Sequence, residues 1–334
     1  MIPVWVLTGF LGSGKTTLLG RCLKHPAFAR TAVIINEFGE IGLDHDLIET
    51  SEESFVTLRT GCLCCRVRDD LLLTLEDLLR RRVEGVLAPF ERIIIETSGL
   101  ADPGPILMAL MTDQDIAGRI ALAGVVTTVD AVHALATLDR HGEAIRQIAV
   151  ADRLVVTKTD LVAAPGEQLT ARLAALNPAA VVIAAAFGAV DAEELFAGSG
   201  GKQAADVERW LASTPAASQP AQPHQAIASV ALVRETPMRA VALTLLLECL
   251  AEHCGSDLLR LKGLIQIAEC PDRPAVVHGV GHVIEPPAWL ERWPSADRRS
   301  RLVLIGRKLQ AAWVEALATA LEAEVAEVLA AGQT

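Results

Sequence analysis

Residues 9–17 read Gly-Phe-Leu-Gly-Ser-Gly-Lys-Thr-Thr, placed between a short apolar run, Val4–Leu7, and an amphipathic stretch, Thr16–Lys24. The spacing fits G-x-x-x-x-G-K-[ST], a pattern that carries meaning where a strand feeds a glycine-rich turn and the turn feeds a helix. That context is present here. Gly9, Gly12 and Gly14 let the backbone curl until successive N–H groups face phosphate oxygens, with Ser13 and Thr17 completing the cradle. Lys15 supplies a point charge to the β- and γ-phosphates, and the Thr16 hydroxyl is a ligand for Mg²⁺. The helix N-terminus adds partial positive charge. A glycine-rich turn with a chance lysine is the competing reading, and it leaves the flanking strand and helix unexplained. The chain is predicted to hold a nucleoside triphosphate.

The rest of the first two thirds fits an α/β fold with a mostly parallel sheet. Short apolar runs at Ala32–Ile35, Arg92–Glu96, Ala123–Val129, Arg153–Val156 and Val181–Ala185 read as strands. Between them, Asp69–Arg82 and Glu167–Leu176 place apolar residues three and four apart, as crossover helices do. Residues 214–225, TPAASQPAQPHQ, read as a linker. Beyond it, strands at Ala226–Val233, Gly263–Ala268, Ala275–Val280 and Leu302–Ile305, with helices at Met238–Cys254 and Lys308–Leu329, predict a smaller α+β domain. The expected division is therefore 1–213, a linker at 214–225, and 226–334.

Two further segments specify the nucleotide chemistry. Ile93-Ile-Ile-Glu96-Thr-Ser-Gly99 is an apolar run ending in a carboxylate, with a glycine three residues on, expected on the third strand of the sheet. Glu96 is placed to polarise a water around Mg²⁺ or orient the attacking water, and Gly99 to offer its N–H to the γ-phosphate. Thr157-Lys158-Thr-Asp160 follows another apolar strand and resembles the guanine-reading N-K-x-D signature, with Thr157 in the Asn position. The Asp160 carboxylate accepts from N1–H and N2–H₂ of guanine, donors that adenine lacks, while the Lys158 stem covers the base plane. GTP is the expected nucleotide.

Gly61-Cys62-Leu-Cys64-Cys65 sets three thiols within four residues, ahead of a helix expected to begin near Asp69. Thiolates favour soft or borderline ions, and three sulfurs leave a tetrahedral ion one exchangeable position. Arg59, Arg66 and Arg68 favour the thiolate form. A buried structural thiol cluster and a redox pair are the alternatives. In Asn36–Asp44, after the second strand, Glu37 and Glu40 are candidates to reach Mg²⁺, its waters or a transferred metal, against a reading as ordinary loop carboxylates. Cys22, Cys249 and Cys254 fit core packing better than ligation. His278 and His282 make a chelating pair only if the chain turns at Gly279 or Gly281.

Taken in order, GFLGSGKTT, NEFGEIGLD, GCLCC, IIIETSGLADP and TKTDL resemble the CobW-type family of metal-associated P-loop GTPases, and LRLKG at 259–263 resembles its second domain. The resemblance implies GTP hydrolysis coupled to handling of zinc, cobalt or another transition metal for a client metalloprotein. It implies that Lys15 and Thr16 hold phosphates and Mg²⁺, that Asp160 reads guanine, and that Cys62, Cys64 and Cys65 carry the metal. Many members have a histidine-rich tract near the linker; here that region holds only His224, which argues against metal storage.

Composition narrows the partners. With 41 acidic and 30 basic residues the net charge is −11, against the needs of a non-specific nucleic-acid binder. No run approaches the length of a membrane span, no basic n-region opens the chain, and seven scattered cysteines make no disulfide framework. The expectation is a cytoplasmic GTPase and metallochaperone. The alternatives are a nucleotide-gated regulatory metal-binding module and a P-loop small-molecule kinase.

Overall fold

The computed structural model describes residues 1–37, 55–59, 64–116, 118–162, 166–196 and 227–331, with the backbone alone at 36–37, 55–59 and 64–69. The chain divides into two units, Met1–Ala171 with Ala180–Gly200, and Arg172–Ala179 with Gly201–Thr334, a division that falls within the helix Glu167–Leu176, which is taken below with the first unit. The 214–225 segment lies outside the described residues.

In the first unit the described strands are β1 (Ile2–Gly9), β2 (Thr31–Glu37), β3 (Phe55–Arg59), β4 (Arg92–Glu96), β5 (Ile120–Asp130), β6 (Arg153–Thr157) and β7 (Val181–Ala184). They form one sheet in the order β3-β2-β4-β1-β5-β6-β7, and every neighbouring pair is parallel. The intervening helices are α1 (Lys15–Leu23), α2 (Cys64–Val83), α3 (Gly104–Thr112), α4 (Ala134–Arg140), α5 (Gly142–Ala149), α6 (Glu167–Leu176) and α7 (Ala192–Leu195). A strand covered on both faces must be apolar throughout. Val4–Leu7 and Ile93–Ile95 meet that demand and are buried. Around Trp5 the core continues through Leu18, Leu19, Phe28, Val126 and Phe196. The Trp5 and Phe196 rings meet edge to face at 5.6 Å, with the Arg153 guanidinium 4.9 Å from the Trp5 ring centroid.

Two sequence expectations need correction. The Glu96 strand is the fourth in chain order, because Phe55–Arg59 adds an edge strand paired with β2. Helix α2 begins at Cys64 rather than near Asp69, so Cys64 and Cys65 stand in its first turn.

In the second unit, β8 (Ile227–Arg234), β9 (Leu258–Ile267), β10 (Cys270–Val280), β11 (Val283–Ile284) and β13 (Ser300–Arg307) form an antiparallel sheet in the order β11-β10-β9-β13-β8, with β12 (Ala288–Trp289) paired to β10. Leu261, Ile265, Leu302 and Leu304 share a core with Leu243, Leu246 and Leu250 of α8 (Ala240–Cys254) and Val314 of α9 (Ala311–Ala331). Arg234 fastens the sheet to α9 through ion pairs with Glu315 and Glu322. The chain turns at Gly281 between His278 and His282, and His278 is buried while His282 is exposed. Among the described residues these two join no group of three or more potential metal ligands. No described helix is long and apolar enough to cross a membrane.

Candidate functional site: a nucleotide cradle at the carboxyl edge

Strand β1 lies at the centre of the sheet between β4 and β5, and the chain crosses it from one half of the sheet to the other on passing from β4 to β5. Ligands bind at such a switch point, outside the carboxyl ends of the strands. Register brings the ends together: Leu7 lies beside Glu96, Gly9 beside Thr128, and Asp130 beside Thr157.

Between β1 and α1 the turn runs with Gly9, Gly12 and Gly14 at φ 141°, 73° and 90°. A Cβ on Gly9 would stand 2.2 Å from Thr128 Oγ1 and 2.6 Å from the Thr128 carbonyl oxygen, so only glycine fits there. Ser13 Oγ donates to the Phe10 carbonyl (2.6 Å) and lies 2.7 Å from Thr128 Oγ1, bracing the turn against β5. Gly12 is exposed, and Thr17 is exposed on the first turn of α1. Lys15 Nζ folds back onto the carbonyls of Gly9 (3.0 Å) and Phe10 (3.4 Å), inside the turn where it is expected to meet phosphate. Thr16 Oγ1 donates to Glu96 Oε1 at 2.7 Å, and Glu96 is only 1% exposed. A hydroxyl and a carboxylate thus converge at the head of α1, a hard-oxygen pair of the kind that Mg²⁺ and its waters take. Gly99 follows three residues on, and a Cβ there would lie 2.7 Å from both Leu11 N and Leu11 Cα.

On the other side of β1, Thr157 Oγ1 donates to the Ser13 carbonyl at 2.7 Å, with the Val129 carbonyl 3.2 Å away as a second acceptor. The threonine in the Asn position therefore ties the segment after β6 to the phosphate loop. Lys158 takes the left-handed conformation, φ 58°, and its Nζ pairs with Asp130 Oδ2 at 2.7 Å. Asp160 Oδ1 accepts the Phe187 N–H at 2.7 Å, which orients the carboxylate from the segment after β7.

Asp130, Thr128, Gln147 and Phe187 escaped the sequence reading. Asp130 carried the same signal as Glu96, an apolar strand ending in a carboxylate. Burial by itself raises its carboxyl; hydrogen bonds from Lys158, His133 and the Val132 N–H outweigh that and hold it below the usual carboxylate range. A cavity of about 300 Å³ opens beside the turn, bordered by Phe10, Ser13, Val129, Leu138 and Gln147.

Glu37 ends β2 opposite Arg59 of β3, and Cys64 and Cys65 open α2; Cys62 and Glu40 lie outside the described residues. Cys22 is buried in the core, where desolvation pushes its thiol up to about 12, so it is inert as a ligand. Cys254 packs at the edge of the second core, and burial raises its thiol as well.

The profile of the CobW/HypB/UreG nucleotide-binding domain matches residues 3–184, and that of the cobalamin synthesis protein cobW C-terminal domain matches residues 227–323. The chain belongs to the CobW/HypB/UreG family. Among its relatives, the zinc chaperone YjiA of Escherichia coli (strain K12) is 35% identical over 92% of this chain and 95% of its own length. The zinc chaperone CobW of Sinorhizobium sp is 33% identical, over 96% and 97%. A crystal structure of Zn(II)-bound YjiA GTPase from E. coli superposes with a TM-score of 0.70 at 27% identity, covering 96% of this chain and 98% of that one. The P-loop GTPase fold expected from the sequence, with its second sheet domain, is thus the fold of this CobW-family chain.

Proposed function

We propose that this chain is a cytoplasmic GTP-hydrolysing metallochaperone, which carries a transition metal on Cys62, Cys64 and Cys65 and passes it to a client metalloprotein under nucleotide control. The observation that carries the nucleotide half is the contact between Thr16 and Glu96, at the mouth of a loop already lined by Lys15. Thr16 and Glu96 would hold Mg²⁺ directly or through its waters, and Lys15 would leave the Gly9 and Phe10 carbonyls for phosphate oxygens. Bound there, Mg²⁺ would neutralise charge developing on the β- and γ-oxygens during transfer to water. Glu96 orients that water, Gly99 N–H meets the γ-phosphate, and Asp160, held by Phe187, reads guanine.

The metal half rests on thiol chemistry and on the company the chain keeps. Relatives that align over nearly its whole length are named zinc chaperones. Three thiolates suit zinc and also accept cobalt. Glu37 ends β2 at the carboxyl edge, the edge that carries the nucleotide site, and Glu37 and Glu40 are assigned to the metal or to the Mg²⁺ shell.

If nucleotide and metal sites are coupled, metal affinity differs between the GDP complex and a complex with a non-hydrolysable GTP analogue. A useful switch requires a ratio of about 5- to 150-fold, and the metal must alter nucleotide affinity by the same factor. Parallel Zn²⁺ titrations of the two complexes test this, with Cys64→Ser/Cys65→Ser as the control that loses tight binding. Equal Zn²⁺ affinity in both complexes refutes the chaperone mechanism and leaves a GTPase with a structural thiol site.

A further inference from the structure

We propose that Gln147 of α5 is a positioning residue for GTP hydrolysis, setting the place of Gly99 over the phosphate loop; this rests on the function proposed above. Gln147 is fully buried, and its Nε2 donates to the carbonyls of both Gly99 (3.2 Å) and Ala101 (3.0 Å). Both neighbours are acceptors, so only the NH₂ end of the amide can face them. The turn of α5 that carries Gln147 is itself anchored, because Thr127 Oγ1 of β5 donates to the Gln147 carbonyl at 2.8 Å. Its neighbour Arg146 pairs with Asp102 at 2.8 Å while also holding Glu143 at 3.0 Å. Two adjacent residues of one helix therefore grip positions 99, 101 and 102.

Within the segment itself the backbone bond is local, from the Ala101 N–H to the Ser98 carbonyl at 3.1 Å, so the grip from α5 is what ties it across the fold. Leu100, the apolar residue between the two pinned carbonyls, is 56% exposed and provides no packing anchor. Gly99 in turn lies against the Leu11 backbone and near Lys15 Nζ, so a displacement of its carbonyl shifts its N–H relative to the phosphate loop. The far end of the amide argues for a specific role as well. Gln147 Oε1 is buried and has no hydrogen-bond partner among the described residues. A buried acceptor left unpaired is costly, and an apolar side chain of the same size would avoid that cost. What the glutamine adds is the pair of N–H contacts to the Gly99 segment. Positioned dipoles that need no reorganisation during reaction are where such contacts raise rate rather than binding.

The test uses the full chain as parent, Gln147→Met, Gln147→Glu and Arg146→Gln. Gln147→Met keeps the volume without donors, and the adjacent cavity gives it room. Its kcat for GTP should fall about ten- to hundredfold, with KM and the affinity for a fluorescent GTP analogue within about twofold. Gln147→Glu, which turns a carboxylate toward two carbonyls, should fall at least as far. Arg146→Gln removes the Asp102 pin together with the Glu143 pair, leaves both Gln147 contacts in place, and should lower kcat a few-fold. In parallel, amide hydrogen exchange at 99–102 should accelerate in Gln147→Met while the strands keep parental rates. A folded Gln147→Met with parental kcat overturns the proposal, as does a kcat loss shared equally by KM and thermal stability. Should the Gln147 variants fail to fold, unchanged kcat in Arg146→Gln overturns it. A parent without GTPase activity refutes the proposed function instead; exchange at 99–102 then decides the inference, acceleration supporting it and parental rates refuting it.

Discussion

Gly99→Ala perturbs the site by one methyl group, and the structure says where that group would go. Its Cβ would stand 2.7 Å from Leu11 N and Cα, against 3.4–4 Å for an ordinary contact, and 3.1 Å from Lys15 Nζ. The lysine end is flexible and can yield. The Leu11 backbone belongs to a turn braced by Ser13, Thr128 and Thr157 and cannot. The Gly99 segment must therefore retreat by about 0.7 Å or more from the phosphate loop, carrying its N–H away from the γ-phosphate. Misplacement of about 1 Å costs about 10²-fold in rate, so a loss of about 10- to 100-fold is expected. The phosphate loop itself is unchanged, so GTP affinity should stay within a few-fold. Single-turnover hydrolysis, alongside binding of a fluorescent GTP analogue, separates the two. A variant that hydrolyses GTP within twofold of the parent refutes the close approach of Gly99 as a determinant of catalysis.

Three other outcomes follow from the same geometry. Asp160→Asn should weaken GTP by on the order of 2–4 kcal/mol, the worth of a lost charge-assisted pair, and improve relative binding of xanthosine triphosphate; equal GTP affinity in calorimetry removes guanine reading from Asp160. Thr157→Val keeps the shape but leaves the buried Ser13 carbonyl without its 2.7 Å donor, and should cost about 1–2 kcal/mol of stability in urea melts. The Asp130 carboxyl is held below its usual range in the folded state, so its contribution is complete above the unfolded value of about 3.9 and disappears as pH falls through the lower folded value. Denaturation of parent and Asp130→Asn should differ by about 1 kcal/mol at neutral pH, after screening at the part-exposed Lys158, and converge in acid; a gap that grows in acid refutes the assignment.

The sequence was most readable where one physical demand fixed each residue. The buried parallel strands had to be apolar end to end, and Val4–Leu7, Arg92–Glu96 and Arg153–Val156 stand where expected. The phosphate turn was legible because its glycines have no substitutes. Phe55–Arg59 was not, since an edge strand pairs on one side only and its five residues lack the long apolar run of the central strands. Helix α3, GPILMALMT, is apolar on every side and shows no periodicity. The early start of α2 was obscured by its opening residues, Cys64-Cys-Arg-Val-Arg, which carry no capping signal. Thr157 stood in the Asn position of its signature, and spacing alone does not reveal that its hydroxyl reaches the Ser13 carbonyl. Gln147 had no motif at all. Its contacts link α5 to a segment 46 and 48 residues earlier, and only the folded chain brings them together.

An all-parallel sheet with its candidate chemistry at one edge makes the opposite edge a place for handles. The turns that enter the strands there are solvent-exposed: 24–27 before β2, 83–86 before β4, and 118–119 before β5. Gly85 and Gly118 have nothing within 4 Å of a would-be Cβ. The five residues of β4 put about 17 Å of strand between such a turn and Glu96, at roughly 3.3 Å per residue. A dye, an affinity tag or a tether to a surface grafted at 85 or 118 is separated from the phosphate loop by the length of a strand. Those two positions are where the protein can be labelled for single-molecule work, or immobilised on a surface, with the carboxyl edge of its sheet still facing outward.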